Sequence, residues 1–160
     1  MMGTKGRVAV VAAICFVAAA APLRASEASE TSETSETMKA IVGSYLEIQV
    51  QLAADKIDGI KAPAAAIASR AEALGDSGAV MAKAARAVGE STDLKAAREA
   101  FAGLSDGVIA AARAEGWKDL GDTRLAFCPM VKRSWLQKGE KIRNPYFGST
   151  MLECGELKKP

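Results

Sequence analysis

The sequence of 160 residues contains no histidine and carries a formal net charge of only +2. Histidine is the usual general base of hydrolases and the commonest metal ligand, so its absence argues against Ser–His triads and zinc–histidine sites. A charge so close to zero lacks the positive field of a dedicated nucleic-acid-binding protein. The length allows one ordinary domain and excludes a large multidomain enzyme. These absences favour a small binding or interaction domain without catalytic activity.

The N-terminal apolar run is too short to be a typical membrane span. Val8–Ala21 has 14 residues, whereas a spanning helix needs about 20. A short basic segment precedes this run, and Leu23-Arg24-Ala25 ends on a small residue before Ser26. This order predicts a signal peptide over residues 1–25, and hence a periplasmic or secreted protein without stable membrane insertion after cleavage. A retained membrane anchor is the alternative. Removal of the signal leaves a net charge of −1.

A Ser/Glu/Thr repeat follows the predicted cleavage point. Residues 26–37 contain no apolar side chain larger than alanine. Such a segment cannot bury a hydrophobic core. It is predicted to be a disordered tether, and the single folded domain is predicted to span residues 38–157.

Apolar residues at alternating spacings of three and four predict helices over residues 38–116. The first stripe consists of Met38, Ile41, Tyr45, Ile48 and Leu52. The last stripe, after a predicted cap at Asp93, consists of Leu94, Ala97, Phe101, Leu104, Val108 and Ala111. Two shorter helices are predicted between them, over residues 64–74 and 79–88, with residues 75–78 ending the former. Short connections and alanine-rich faces favour a small antiparallel three- to four-helix bundle in a mainly α fold.

The composition changes after Gly116. Residues 117–160 contain both tryptophans and carry a net charge of +4, against −5 for residues 26–116. We expect an irregular, cysteine-containing segment over residues 117–157 that packs against the bundle. Within it, the patterns predict a short strand or extended piece at residues 124–127, a turn at Asn144-Pro145 and one helical turn at residues 149–154.

Two cysteines remain once Cys15 is removed with the signal. In an oxidising compartment, an even pair such as Cys128 and Cys154 is most often a disulfide. The bond would close a loop of about 25 residues. On a loop-entropy estimate, this would stabilise the fold by roughly 3 kcal/mol. The domain would then be a non-catalytic interaction module of the cell envelope.

The same cysteines each have a methionine close in sequence, which favours a metal site instead. Cys128 and Met130 are two apart, so an extended backbone would point both side chains to one side. Met151 and Cys154 are three apart, which a helical turn would bring to one face. Two thiolates and two thioethers are soft ligands that select Cu(I) over harder ions. The candidate metal ligands are therefore Cys128, Met130, Met151 and Cys154.

A family resemblance runs through the same region. The segments that carry it are Phe127-Cys128-Pro129-Met130, Trp135-Leu136-Gln137, Ile142 to Ser149, Met151-Leu152 and Cys154-Gly155. In this order they resemble the DUF3347 domain, which occurs in exported bacterial proteins and beside periplasmic adaptor subunits of heavy-metal efflux pumps. The resemblance implies a periplasmic, copper-associated role with an efflux adaptor or copper protein as partner. It identifies no reaction. Copper capture or relay and the structural disulfide therefore both stand as hypotheses.

Overall fold

The computed structural model describes residues 23–118 and 120–159, which form four α-helices followed by a small β-sheet. The helices are α1 Leu23–Ala53, α2 Lys61–Glu72, α3 Gly75–Gly89 and α4 Leu94–Ala114. The strands are β1 Thr123–Cys128, β2 Arg133–Lys138 and β3 Glu156–Lys158, with a short 3-10 helix at Gly148–Thr150. A mainly helical fold was predicted and is confirmed.

Helix α1 begins earlier than the sequence predicts. All five residues of its predicted stripe are buried, Met38 to Leu52. The helix also runs through residues 26–37, which were predicted to be disordered. Extension costs little once the packed part has nucleated the helix, since each further residue adds one backbone hydrogen bond. An ion pair of 2.7 Å between Lys39 and Glu36 supports this extension. Residues 1–22 of the predicted signal peptide lie outside the described residues.

The two middle helices are separated by a shorter break than predicted. Residues 75–78 were expected to end the second helix, but α2 ends at Glu72 and Gly75 is already the first residue of α3. Gly75 has a φ of +67°, which lets the chain change direction there with no side-chain penalty. The predicted cap of α4 is confirmed, because the Asp93 carboxylate accepts a hydrogen bond of 2.9 Å from the Ala96 N–H.

One hydrophobic core joins the helices to the C-terminal segment. Helix α1 packs against α2 and α4, and α3 packs against the same two helices. Strand β2 packs on α1 and α4, and its Trp135 and Leu136 are fully buried in the same core. Within the described residues, no helix is both long and apolar enough to cross a bilayer.

The C-terminal segment is more regular than predicted. It forms a three-stranded antiparallel sheet in the order β2-β1-β3, with Leu125 opposite Leu136 and Ala126 opposite Leu157. The expectation of an irregular segment was wrong because each strand has at most six residues and is stabilised by pairing rather than by its own pattern. The sheet places the end of β1 close to the chain that follows the 3-10 helix.

Candidate functional site

Cys128 is the last residue of β1, the central strand of the sheet. It pairs with Arg133 across the hairpin, and residues 129–132 form the connecting loop. Lys132 has a φ of +53°, the left-handed conformation that commonly completes a short hairpin loop. The Cys128 side chain is 0% exposed and belongs to the core. The hairpin therefore holds this sulfur inside the domain.

The Cys128 sulfur is surrounded by hydrogen-bond donors. Burial alone raises the pKa of its thiol, because it disfavours the charged form. The backbone N–H groups of Val131 and Met130, the Cys154 thiol and the Asn144 side chain act in the opposite direction. The net effect is a Cys128 pKa below its ordinary value. The hairpin loop thus stabilises a thiolate at Cys128.

Cys154 lies next to Cys128, on the loop that follows the 3-10 helix. The two Sγ atoms lie 3.4 Å apart, and both cysteines are free thiols. The pKa of Cys154 is raised, first because its proton is shared with Cys128, and then through burial and repulsion from the Cys128 charge. Cys128 is therefore the more acidic thiol of the pair, and Cys154 is the less acidic one.

Asn144 fixes the position of the loop that carries Cys154. Its buried side-chain amide donates a hydrogen bond of 2.7 Å to the Cys154 carbonyl oxygen. Its Oδ1 accepts hydrogen bonds from the N–H groups of Tyr146 and Phe147. Its own N–H donates to the Leu152 carbonyl at 2.8 Å. The turn predicted at Asn144-Pro145 exists, and its asparagine also organises the loop that positions Cys154.

An ion pair attaches this loop to the helical bundle. Arg98 on α4 donates to the Asp55 carboxylate, to the Leu52 carbonyl at 3.0 Å and to the Pro145 carbonyl at 2.9 Å. The second Asp55 oxygen accepts the Ser149 N–H at 2.9 Å. This cluster, called the Arg98–Asp55 latch below, connects the ends of α1 and α4 to the loop before Cys154.

The latch predicts a stability change at acidic pH. Hydrogen bonds from the Ser149 side chain and N–H, together with Arg98, lower the Asp55 pKa from 3.8 to about 2. Its contribution is therefore fully present above pH 3.8 and is lost as the pH falls towards 2. The Asp55 side chain is 30% exposed, so we expect Asp55→Asn to cost only about 1 kcal/mol at neutral pH.

Denaturant unfolding of both proteins at several pH values measures this effect. The parent should lose more stability than Asp55→Asn between pH 4 and pH 2. Asparagine suits the left-handed backbone at Asp55, where φ is +57°, so backbone strain does not confuse the comparison. Asp58→Asn, at an exposed carboxylate in the same connection, is the control and should have little effect. Parallel pH curves for the parent and Asp55→Asn would contradict a role for the latch.

Gly148 sits against the latch and tolerates no side chain. Its φ is +55°, and an added Cβ would overlap Asp55 Oδ1 and Arg98 Nη2. Gly148→Ala should therefore destabilise the domain by about 2 to 4 kcal/mol, through backbone strain plus overpacking. Gly121→Ala is a matched control, because Gly121 has a φ of +57° with open space around it. Denaturant unfolding should give a cost of about 1 kcal/mol for the control. Equal costs would show that the contact with the latch is unimportant.

The two predicted methionine ligands occupy different surroundings. Met130 lies on the hairpin loop with 67% of its surface exposed. The predicted extended backbone from Cys128 to Met130 is wrong, because β1 ends at Cys128 and the loop turns immediately afterwards. Met151 is partly buried, and its carbonyl accepts a hydrogen bond of 3.0 Å from the Cys154 N–H. The single helical turn predicted over residues 149–154 is wrong: the 3-10 helix ends at Thr150, Met151 has a non-helical φ of −147°, and a separate non-helical turn joins Met151 to Cys154.

Harder metal ligands do not assemble in the described part of the chain. No group of three or more His, Cys, Asp or Glu side chains there is arranged to hold a metal ion. The donors available at this site are consequently the two thiols, with thioethers nearby in sequence. This donor set suits a soft ion and not Mg²⁺ or Ca²⁺.

A cleft of about 550 Å³ lies between α4 and the β1–β2 hairpin. Its lining combines apolar and charged side chains and contains neither cysteine: Leu94, Lys95, Arg98, Glu99, Ala102, Val131, Arg133 and Tyr146. Two of its three basic residues are neutralised, because Arg98 pairs with Asp55 and Arg133 pairs with Asp106.

Comparison with known proteins identifies no relative. No family model, curated protein or solved structure matches this chain.

Proposed function

We propose that this domain captures or relays Cu(I) in the periplasm through the thiolates of Cys128 and Cys154, with thioether sulfur from Met130 and Met151. The observation that carries the proposal is the 3.4 Å separation of the two cysteine sulfurs in a site rich in thiolate-stabilising donors. Cu(I) is here the cargo. The proposed role is binding and transfer, without catalysis.

The sulfur separation favours a metal with more than two ligands. With metal–sulfur bonds of about 2.3 Å, two thiolates lie roughly 3.8 Å apart on a tetrahedral ion and roughly 4.6 Å apart on a linear one. The observed 3.4 Å is closer to the first value. A linear two-thiolate site would require a larger movement of the core residue Cys128. A further ligand is therefore expected beside the two thiolates, and we propose a thioether of Met130 or Met151, the methionines nearest to the cysteines in sequence.

Metal uptake at this pair is coupled to the release of protons. Thiolates and not thiols bind metal, so binding must release the protons of both cysteines. The lowered pKa of Cys128 means that its proton is lost easily. The raised pKa of Cys154 means that its proton leaves with more difficulty. The positive charge of Cu(I) between the sulfurs would offset the negative charge that Cys154 acquires when it loses its proton.

The wider role rests on the sequence. The predicted signal peptide supports a periplasmic or secreted location, and the resemblance to the DUF3347 domain supports a link to heavy-metal efflux or copper homeostasis. We infer that a periplasmic efflux adaptor or copper protein is the partner, and that neither nucleic acid nor a membrane is bound. The short connections and helix packing described above support an antiparallel arrangement of the four-helix bundle.

Competition with a chromophoric Cu(I) chelator under anaerobic conditions tests the proposal. The reduced protein should remove one Cu(I) per chain from the chelator. The combined Met130→Leu and Met151→Leu variant should bind about tenfold more weakly or worse. Its stability should fall by less than about 1.5 kcal/mol, because leucine and methionine have similar volumes.

Met81→Leu is the matched control, since Met81 is buried on α3, in a helix that contributes nothing to the thiol site. This variant should bind Cu(I) as well as the parent. Unchanged affinity in the double methionine variant would refute the thioether ligands. Failure of the reduced parent to compete would refute copper binding altogether.

A structural disulfide is the second candidate function, because the same 3.4 Å separation also allows the cysteines to approach bonding distance. The domain would then be a non-catalytic interaction module of the envelope. This alternative predicts no free thiols in the native protein, no competition with the chelator and a marked loss of stability on reduction.

A further inference from the structure

The two sulfurs of the pair differ in their access to solvent. Cys128 is fully buried at the end of the central strand, whereas Cys154 is partly exposed on the chain after the 3-10 helix. The two Sγ atoms lie 3.4 Å apart, so a small movement brings them to bonding distance. Cys154 is thus the accessible sulfur of the pair, and Cys128 is the protected one.

We propose that Cys128 and Cys154 form a reversible disulfide that exchanges with external thiols, with attack at the Cys154 sulfur and departure of Cys128 as the thiolate. This redox reaction goes beyond copper binding and does not depend on it. Its substrates are thiols in one direction and disulfides in the other.

The exchange proceeds in two displacement steps. An external thiolate attacks Cys154 Sγ, the bond between the two cysteine sulfurs breaks, and its electron pair goes to Cys128 Sγ. The product is a mixed disulfide between the external sulfur and Cys154. A second external thiolate attacks the external sulfur of that mixed disulfide and releases Cys154, which takes a proton from solvent. Two thiols have then been oxidised to one disulfide, and the protein disulfide has been reduced to a dithiol.

Burial of Cys128 fixes the direction of the exchange. When the accessible sulfur is attacked, the other sulfur leaves with the electron pair of the broken bond. Attack at Cys128 is blocked, because its side chain is 0% exposed. Cys154 is only partly buried, so attack there needs less movement of the core than attack at Cys128. The pair should therefore behave as a reducible couple and not as a permanent structural bond.

Exchange with glutathione tests this proposal on the copper-free chain. The oxidised protein is mixed with reduced glutathione, quenched with acid at intervals, digested and examined by mass spectrometry. We expect the transient glutathione adduct on Cys154, followed by accumulation of the dithiol without unfolding. An adduct on Cys128 would overturn the assigned direction. A disulfide that stays oxidised until denaturant is added would overturn the exchange itself.

Single-cysteine variants give a second readout with oxidised glutathione. In the chain from Ser26 onwards, which lacks Cys15, Cys128→Ser should accumulate a stable adduct at Cys154, because no second cysteine is present to displace it. Cys154→Ser should react at least about tenfold more slowly when folded, because its remaining sulfur is buried, and should react readily in denaturant. Circular dichroism establishes that each variant is folded. Equal reaction rates for the two folded variants would contradict the asymmetry, whatever the result of the copper titration.

Discussion

Replacement of Phe101 by alanine is expected to lower the free energy of unfolding by about 3 to 5 kcal/mol. The ring is 0% exposed on α4. It stacks on Tyr45 of α1 with 4.8 Å between centroids and lies 6.0 Å from the ring of Tyr146. Its loss would leave a cavity where α1, α4 and the C-terminal segment meet. Denaturant unfolding measures the effect.

Lys95→Ala is the control on the same helix, because Lys95 is exposed on α4. It should cost less than about 0.5 kcal/mol. Equal effects of Phe101→Ala and Lys95→Ala would mean that the buried face of α4 is assigned wrongly.

Cys128→Ser is expected to weaken Cu(I) binding by about 100-fold or more, since it removes the thiolate that the hairpin stabilises. Serine keeps a similar size but supplies a hard oxygen donor that Cu(I) does not prefer. Competition with the chelator on reduced protein measures the change. Cys154→Ser should cause a comparable loss, because the two sulfurs act on the same ion.

The double cysteine variant distinguishes a shared site from two separate ones. If both thiolates bind the same ion, replacing the second cysteine should reduce the Cu(I) affinity little beyond the loss caused by replacing the first. Additive losses from the two substitutions would indicate independent sites and contradict the shared one. Denaturant unfolding of each reduced variant checks that the loss of affinity does not come from unfolding.

The helices could be predicted because their signals are local. The stripe from Met38 to Leu52 repeats every three or four residues, and Asp93 caps α4 through a contact only three residues away. The extension of α1 through residues 26–37 was missed, since composition there favours disorder and gives no sign of a helix propagated from its packed end.

The sheet and the latch depend on contacts between distant residues. Strand β3 has three residues, all exposed, and is defined only by its pairing with β1. Arg98 and Asp55 are 43 positions apart, and no periodic pattern connects them. The approach of Cys128 to Cys154 was anticipated from cysteine number and compartment. The backbone donors at Cys128 and the role of Asn144 follow from loop geometry, which residue types alone do not encode.

X-ray absorption at the copper edge, on reduced protein loaded with one Cu(I) per chain, identifies the atoms bound to the metal. We expect a first coordination shell made of sulfur, with two thiolates and at least one thioether. The thiolate part should disappear in the double cysteine variant, with Met81→Leu unchanged. A shell of oxygen or nitrogen ligands, or a single sulfur in the parent protein, would contradict copper binding between Cys128 and Cys154.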